Sequence, residues 1–265
     1  MVLFHSPNLG NLGVRHGFGT RLGGVSAAPF ASLNCGGRSS VGGTDSADLT
    51  RENRRRLLHA CGMTGCEIVS PHQVHGAQVA ICRGRWPEPP PQADAVITRD
   101  RDRALLVTVA DCAPILVACP VTGGVAAIHA GWRGLVTDAI GATIRQMQQM
   151  FGSSPSFLLA AIGPAIGLEA FEVGEEVATA FDEAGLADAV VRRPEWPRPH
   201  VDLFAAAARR LECAGVTGER LDGAPLCTAS HAELFFSHRR DHGVTGRLAA
   251  VIATPAPGGG LGQSS

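Results

Sequence analysis

The chain has 265 residues and a formal net charge of −1; 45% of its residues are hydrophobic and 18% are charged. This composition provides enough apolar material for a large core and excludes global disorder. The near-zero net charge predicts no basic surface for nucleic acid or for an anionic membrane, so we expect neither as a partner.

The chain also lacks the sequence signs of secretion. Its first residues, MVLFHSPNLGNLGV, do not combine a basic start with a long apolar stretch, as a signal peptide does. The eight cysteines show no C-x-x-C spacing, and we expect reduced thiols rather than disulfides. The longest apolar runs have the length of strands and are far too short to span a membrane. We therefore expect a cytoplasmic enzyme.

In chain order, the first predicted elements are a short helix at residues 53–60 and a proline-rich loop at 86–92. Three short apolar runs follow at 104–109, 115–119 and 125–129, and each predicts a buried strand. The segment PVTGG between the second and third runs is typical of a tight turn. We expect the strands on either side of it to be neighbours.

The middle of the chain alternates between helical and strand patterns. Apolar residues with a helical period predict a helix over 135–151, ended by Gly152. A strand is predicted at 156–162. A helix is predicted at 175–184, with acidic residues in its first turn that favour the helix dipole.

The last part of the chain contains a second proline-rich loop at 192–200, a predicted helix at 202–214 and a predicted strand at 247–252. The final residues 255–265, PAPGGGLGQSS, predict a disordered tail. Strands that alternate with helices, together with added hairpins, indicate an α/β fold with mixed sheets. We expect one domain over residues 1–254.

Three turn or strand-end segments carry side chains suited to chemistry. His72 and His75 lie in PHQVHG, Cys112 follows Asp111, and His129 precedes the sequence AGWRG. One thiolate and two imidazoles form a ligand set for zinc with an open fourth position. Without a metal, Cys112 and His129 would form a nucleophile and base pair. The spacing does not decide between the metal site and the nucleophile pair, and it does not decide between His75 and His72. A third interpretation is that the thiol and the imidazoles are buried core groups without a chemical role.

Arginines near these segments are candidates for anion binding. Arg133 lies in the Gly-Trp-Arg-Gly sequence that is expected to form a turn before the helix at 135–151, where free backbone N–H groups favour an anion. Arg21, in a glycine-rich loop, or Arg239, in FFSHRRD, would add a second contact. Solvated side chains are the alternative for all three. Asp111 would either orient a ligand or substrate or cap a turn.

Taken together, these motifs resemble the YfiH or laccase-domain family, also called the peptidoglycan editing factor or multicopper polyphenol oxidoreductase family. The resemblance extends over about residues 15–253. The segments that carry it are TRLGGVS (20–26), SLNCG (32–36), QVHG (73–76), TVADCAPILV (108–117), AIHAGWRG (127–134), GPAIG (163–167), FEVGEEV (171–177), and FFSHRRD (235–241) with GR (246–247).

The resemblance implies a layered α/β/β/α sandwich with mixed sheets, of the α+β type, similar to the Cys-His hydrolase domain of cytotoxic necrotizing factors. It also implies a metal site. The ligands would be His75, Cys112 and His129, so the resemblance selects His75 over His72. Zinc is the expected metal, with copper as the alternative, and Cys112, His129 and Asp111 would be the catalytic residues. A monomer is favoured, although the sequence leaves the oligomeric state open.

Family members are described in three different ways. Some are purine nucleoside phosphorylases that also act on methylthioadenosine and deaminate adenosine, some are polyphenol oxidases, and some remove peptidoglycan precursors that carry L-serine wrongly. A multicopper oxidase uses many histidines, usually in H-x-H pairs, whereas this chain has 10 histidines and no H-x-H pair. The resemblance therefore favours a zinc-dependent phosphorylase with nucleoside and phosphate as substrates. A Cys-His amide hydrolase is the alternative, and a laccase-like oxidase is disfavoured.

Overall fold

The computed structural model describes residues 1–36 and 43–255, so the predicted tail at 255–265 lies outside the described residues apart from Pro255. The bounds of its elements are as follows: β1 Leu3–Phe4, α1 Pro7–Asn11, β2 Arg15–Gly19, α2 Ala47–Ala60, β3 Glu67–Val69, β4 Val79–Cys82, β5 Ala95–Thr98, β6 Arg103–Val109, β7 Ala113–Ala118, β8 Val125–Ala130, α3 Trp132–Val136, α4 Ala139–Phe151, β9 Leu159–Ile162, α5 Glu175–Glu183, β10 Val190–Val191, β11 His200–Val201, α6 Leu203–Cys213, β12 Leu221–Gly223 and β13 Leu248–Ala253.

Two mixed sheets carry most of the strands. The first sheet has the order β1-β2-β13-β6-β3, in which only the β6–β3 pair is parallel. The second has the order β12-β9-β7-β8-β5-β4, in which the two outer pairs are parallel and the inner pairs are antiparallel. A short hairpin of β10 and β11 lies apart from both sheets. The expected mixed α/β fold is confirmed.

Buried apolar residues divide these elements into layers. One cluster joins α2 to the first sheet, through Leu57 of α2 and Leu106 of β6. A second cluster fills the space between the two sheets and includes Leu105 of β6 and Leu116 of β7. A third, the largest, packs α3, α4, α5 and α6 against the other face of the second sheet. The likeness to cytotoxic necrotizing factors stays a prediction.

Side-chain alternation along β8 decides where His129 points. Successive side chains of a strand point to opposite faces of the sheet. Val125 and Ala127 of β8 belong to the cluster between the sheets, whereas Ile128 and Ala130 belong to the helix-covered cluster. His129 therefore shares the inner face with Val125 and Ala127, at the end of the core between the two sheets.

Most predicted elements are confirmed, with shifted ends. The strands at 104–109, 115–119, 125–129 and 247–252 are present as β6, β7, β8 and β13. The helix at 202–214 is present as α6, and the carboxylate of Asp202 accepts a hydrogen bond from the Ala205 N–H at 2.9 Å, as a helix cap does. The helix at 175–184 is present as α5.

Other predictions were wrong in part. The helix at 135–151 is two helices, because Asp138 adopts a left-handed conformation with φ 60° between α3 and α4. The strand predicted at 156–162 begins only at Leu159, since Pro155–Phe157 forms a 3-10 turn. The helix predicted at 53–60 begins earlier, at Ala47. No helix in the described part of the chain has the length and apolar character needed to cross a membrane.

Candidate metal centre and cleft

Three elements bring the predicted ligands together. Cys112 lies in the three-residue turn where the chain passes from β6 in the first sheet to β7 in the second, and His129 lies near the end of β8. The antiparallel pairing of Pro114 with His129 sets these two segments side by side, as the tight turn predicted. His75 comes from the loop between β3 and β4. The candidate ligand atoms of these three residues lie within 4.8 Å of one another.

A glycine allows this close approach. A Cβ atom on Gly131 would lie 2.9 Å from Sγ of Cys112 and 3.5 Å from Cδ2 of His75. The first distance is shorter than carbon and sulfur atoms tolerate without movement. The glycine that follows His-Ala in AIHAGWRG therefore leaves the space in which the thiol and the imidazole meet.

The His75 loop has a conformation that needs support. His75 has a φ of 61°, a left-handed backbone conformation that residues other than glycine rarely adopt. Its ring meets the ring of His129 edge to face, with centroids 4.7 Å apart and planes at 86°. The ring of His75 is exposed while that of His129 is buried, so the candidate centre lies between the core and solvent.

The support comes from Asp94, a fully buried residue immediately before β5. Its carboxylate accepts hydrogen bonds from the backbone N–H groups of Val74 at 3.2 Å, His75 at 2.9 Å and Gly76 at 2.6 Å. It also accepts a hydrogen bond from Nδ1 of His129 at 2.8 Å. One carboxylate thus fixes both the loop of one histidine and the ring of the other, and leaves Nε2 of His129 as the atom able to bind a metal.

The electrostatics favour a thiolate beside a cationic imidazole. Burial alone would raise the pKa of Cys112, but the charge of His129 and hydrogen bonds from both histidines outweigh it and lower that pKa to about 6. Burial alone would lower the pKa of His129, but Cys112 and Asp94 raise it to about 9. Burial likewise opposes the hydrogen bonds from His129 and Gly76, which nevertheless lower the pKa of Asp94. A thiolate with two imidazoles fits a transition metal.

Asp111 holds the turn that carries Cys112. Its φ is 87°, and its carboxylate accepts hydrogen bonds from Thr228 Oγ1 at 2.6 Å and from the Arg239 N–H at 2.7 Å. Its carbonyl oxygen accepts a hydrogen bond from the Ile166 N–H at 2.9 Å. Both carboxylate oxygens therefore position neighbouring loops, and a catalytic role for Asp111 stays a prediction.

The candidate centre lines a cleft of about 590 Å³. Of the arginines predicted to bind an anion, Arg133 and Arg239 line this cleft and Arg21 is not among the described lining residues. The guanidinium of Arg21 instead donates to the carbonyl oxygens of Ala31 at 2.9 Å and Ala232 at 3.0 Å. Arg54 and Arg247 also line the cleft, although neither was predicted to bind an anion. The cleft is therefore cationic, with Asp111 as the single carboxylate among its described lining residues.

The setting of Arg133 differs from the prediction. The Gly-Trp-Arg-Gly sequence was expected to form a turn before a later helix, but Trp132–Val136 is itself helical and Gly131 is its N-cap. Arg133 is exposed, and its guanidinium lies over the ring of Trp132, with 4.5 Å between its Cζ atom and the ring centroid. The helix therefore presents an arginine on an aromatic ring to the cleft.

Comparison with known proteins identifies the family. Residues 15–255 match the family described as multi-copper polyphenol oxidoreductase laccase, and the chain belongs to this family. A protein of Deinococcus radiodurans named purine nucleoside phosphorylase is 41% identical over 266 residues, which cover 100% of this chain and 97% of that protein. The Escherichia coli protein named purine nucleoside phosphorylase YfiH is 38% identical, covering 88% of this chain and 90% of that protein.

A solved structure has the same fold. The Bacillus licheniformis protein YfiH superposes with a TM-score of 0.83 and 27% identity, and the match covers 91% of this chain and 92% of that one. The family resemblance predicted from the motifs is confirmed, and the two mixed sheets with their helices are those of the YfiH structure.

The ligand set leads to a first prediction. Cys112→Ala and His129→Ala will each abolish stoichiometric metal binding, because each removes one of three ligands. His75→Ala will do the same, whereas His72→Ala, in the same loop but outside the ligand group, will retain most of the metal. Metal content of the purified variants, measured by mass spectrometry, checks this. Equal losses in the two histidine variants would show that the wrong histidine was chosen.

Asp94→Asn gives a second prediction. All four groups that face this carboxylate are donors, so the amide of asparagine must turn its NH₂ toward at least one of them. We expect affinity for Co²⁺ to fall by about 10–100-fold, the usual cost of losing a group that orients a metal ligand. The thiolate-to-Co²⁺ charge-transfer absorption will report it, with circular dichroism confirming folding.

Asp100→Asn is the matched control, because the carboxylate of Asp100 also accepts a backbone N–H, that of Gly84 at 2.7 Å, but outside the site. An unchanged Co²⁺ affinity in Asp94→Asn would remove the positioning role argued for Asp94.

The pKa values predict a third result. Between pH 6 and 9 the metal-free protein holds a Cys112 thiolate and a protonated His129, and only a neutral imidazole binds a metal. Metal binding in this range will therefore release one proton from His129, and affinity will rise about tenfold per pH unit toward pH 9. Calorimetry in buffers of different ionisation enthalpy measures the proton. A pH-independent affinity would contradict the assignment.

Proposed function

We propose that this protein is a zinc-dependent purine nucleoside phosphorylase. It would convert adenosine, inosine and methylthioadenosine to the free base and the corresponding ribose 1-phosphate, and would deaminate adenosine as a second activity. The observation that carries the proposal is the cationic cleft shared by His75, Cys112 and His129 with several arginines. The relatives named purine nucleoside phosphorylase support it.

Phosphorolysis needs an anion site and an apolar site in one cleft. A phosphate oxygen forms a bond to C1′ of the ribose while the C1′–N9 bond breaks and its electron pair passes to the purine. Arginine guanidinium groups bind phosphate with paired N–H donors. The sequence predicted Arg133 and Arg239 for this role, and Arg54 and Arg247 line the same cleft. Trp132 and Phe171, which also line the cleft, provide aromatic surface for the base.

The candidate ligands suit zinc for both activities. His75, Cys112 and His129 would hold the zinc, which would supply a Lewis acid for water or a substrate oxygen. Asp94 would orient His129 for this role, and the core between the sheets would keep water away from the buried side. Deamination replaces the amino group at C6 of adenosine with an oxygen from water and releases ammonia.

Polyphenol oxidation, which the family description suggests, is disfavoured. Reduction of oxygen to water takes four electrons, which blue multicopper oxidases store on several copper ions held mainly by histidines. The sequence has no H-x-H pair. Among the described residues, the ligand group of His75, Cys112 and His129 has room for one metal, too few to store four electrons.

One observation favours a second candidate, a Cys-His amide hydrolase that acts on wrongly built, L-serine-containing peptidoglycan precursors. Asp94 binds Nδ1 of His129, and His129 lowers the pKa of Cys112. This order of carboxylate, imidazole and thiolate matches the nucleophile arrangement of cysteine hydrolases. Such an enzyme would work without a metal, and that requirement separates the two candidates.

A fourth prediction tests the proposed function. Pure zinc-loaded protein incubated with inosine will release hypoxanthine only when phosphate is present, and adenosine will also yield inosine. Removal of zinc with a chelator will abolish both reactions, and added zinc will restore them. Chromatography of bases and nucleosides measures each product. Cys213→Ala is the control for Cys112→Ala. It will keep full activity, because Cys213 is exposed and lies outside the cleft.

Base release that does not depend on phosphate would contradict phosphorolysis. Activity toward an amide substrate that survives zinc removal and disappears in Cys112→Ala would instead support the hydrolase.

A further inference from the structure

We propose that Arg54 and Arg247 form the phosphate site of the cleft, and that Arg133 and Arg239 face the nucleoside. This inference rests on the proposed function and adds to it, because it assigns the two substrates to different walls. Arg54 belongs to α2 and Arg247 immediately precedes β13, so both come from the side of the first sheet. Arg133 and Trp132 lie in α3, which follows β8 of the second sheet, and Phe171 lies between β9 of that sheet and α5.

Arg54 is a half-buried cation without an acidic partner. Its Nε–H donates to the carbonyl oxygen of Cys35 at 2.8 Å, and no described carboxylate lies within ion-pair distance of its guanidinium. The segments 37–42 and 256–265, outside the described residues, contain no Asp or Glu in sequence. Burial also lowers the pKa of Arg54. Removing a charge from water is costly unless a counter-ion replaces the water, and a bound phosphate would be that counter-ion.

The SLNCG segment connects Arg54 to Arg247. Cys35, whose carbonyl accepts from Arg54, donates its N–H to the carbonyl of Arg247 at 2.9 Å. The side-chain oxygen of Asn34 accepts hydrogen bonds from the N–H groups of Arg247 at 2.8 Å and Gly36 at 3.1 Å. The segment therefore holds both arginines at one wall of the cleft through backbone contacts.

Gly36 lets this wall close tightly. A Cβ atom on Gly36 would lie 2.5 Å from Cγ of Arg247, so a larger residue would push the arginine out of place. The charges of Cys112 and Asp111 act on Arg247 and oppose the lowering of its pKa by burial. Arg247 is therefore near the candidate metal centre, and Arg54 lines the same cleft.

The other two arginines lie over aromatic rings, whereas the guanidinium of Arg247 donates to the carbonyl oxygens of Thr245 at 3.1 Å and Gly246 at 3.0 Å. Arg239 is exposed, donates to the carbonyl oxygens of Ala170 at 3.4 Å and Glu172 at 2.9 Å, and lies over the ring of Phe171 at 5.2 Å. Arg133 lies over Trp132 in the same way. Planar guanidinium groups on aromatic rings make an extended flat surface, which suits a purine better than a tetrahedral anion.

The geometry of phosphorolysis agrees with phosphate and purine sites on two different walls of the cleft. In a displacement at C1′, the attacking phosphate oxygen and the departing N9 lie on opposite faces of the ribose carbon. A phosphate site and a base site on different walls would let the two groups approach C1′ from opposite faces. Placing phosphate at Arg54 and Arg247, and the purine near Trp132 and Phe171, leaves the ribose between them, beside the candidate metal centre.

The fifth prediction concerns Arg54. Arg54→Gln will raise KM for phosphate by about 10–100-fold, the loss expected for one charge-assisted hydrogen bond, and will leave KM for inosine and zinc content within about twofold. Arg54→Lys keeps the charge, so its KM for phosphate will lie between those of the unchanged protein and Arg54→Gln. Arg133→Gln will show the reverse pattern, a higher KM for inosine at nearly constant KM for phosphate. Arg55→Gln is the matched control, since Arg55 is exposed on the same helix and pairs with Glu52.

A direct binding measurement separates this inference from the proposed function. Inorganic phosphate titrated into zinc-loaded protein without nucleoside will bind, as followed by calorimetry, and Arg54→Gln will weaken it by the same factor. Phosphate binding that depends on Arg54 in a protein without phosphorolysis would leave this site standing and reject the proposed function. Phosphorolysis that is unaffected by Arg54→Gln, or phosphate affinity lost in Arg133→Gln instead, would overturn the site.

Discussion

The carboxylate of Asp94 is the constraint on which the candidate centre depends. A buried carboxylate is stable only when donors surround it, and here the donors are three consecutive backbone N–H groups of residues 74–76 and the ring of His129. The same contacts hold His75 in a left-handed conformation and fix which nitrogen of His129 faces the cleft. Because the buried carboxylate needs all of these donors, it ties the surface loop of residues 74–76 to His129 in β8.

The sequence predicted the centre where local pattern and chemistry coincide. Three apolar runs predicted β6, β7 and β8, and the one tight turn, between the last two, predicted that Cys112 and His129 would meet. The choice of His75 over His72 came from the family resemblance, because both histidines occur in one short loop. No local pattern distinguishes them, whereas the carboxylate of Asp94, immediately before β5, binds the backbone of His75.

The missed residues share a physical reason. Asp94 is one acid at the start of an apolar strand, and Arg54 is one of several arginines on a helix that otherwise forms surface ion pairs. Their roles depend on burial and on partners far along the chain, which composition and periodicity do not report. The break at Asp138 was missed similarly, since the apolar period continues across it while the backbone does not.

The arrangement of Asp94, His129 and Cys112 explains why two kinds of chemistry fit one site. Without a metal, the carboxylate and the thiolate both favour a protonated His129, which leaves an ion pair suited to nucleophilic attack. A metal would compete with that proton for Nε2 of His129. His75 would be its third ligand, beside Cys112 and His129. The position of His75, held by Asp94 at an energetic cost in backbone conformation, gives a Cys-His dyad only a second hydrogen bond to the thiolate, whereas it gives a metal its third ligand. The position of His75 therefore favours metal-dependent chemistry at this site.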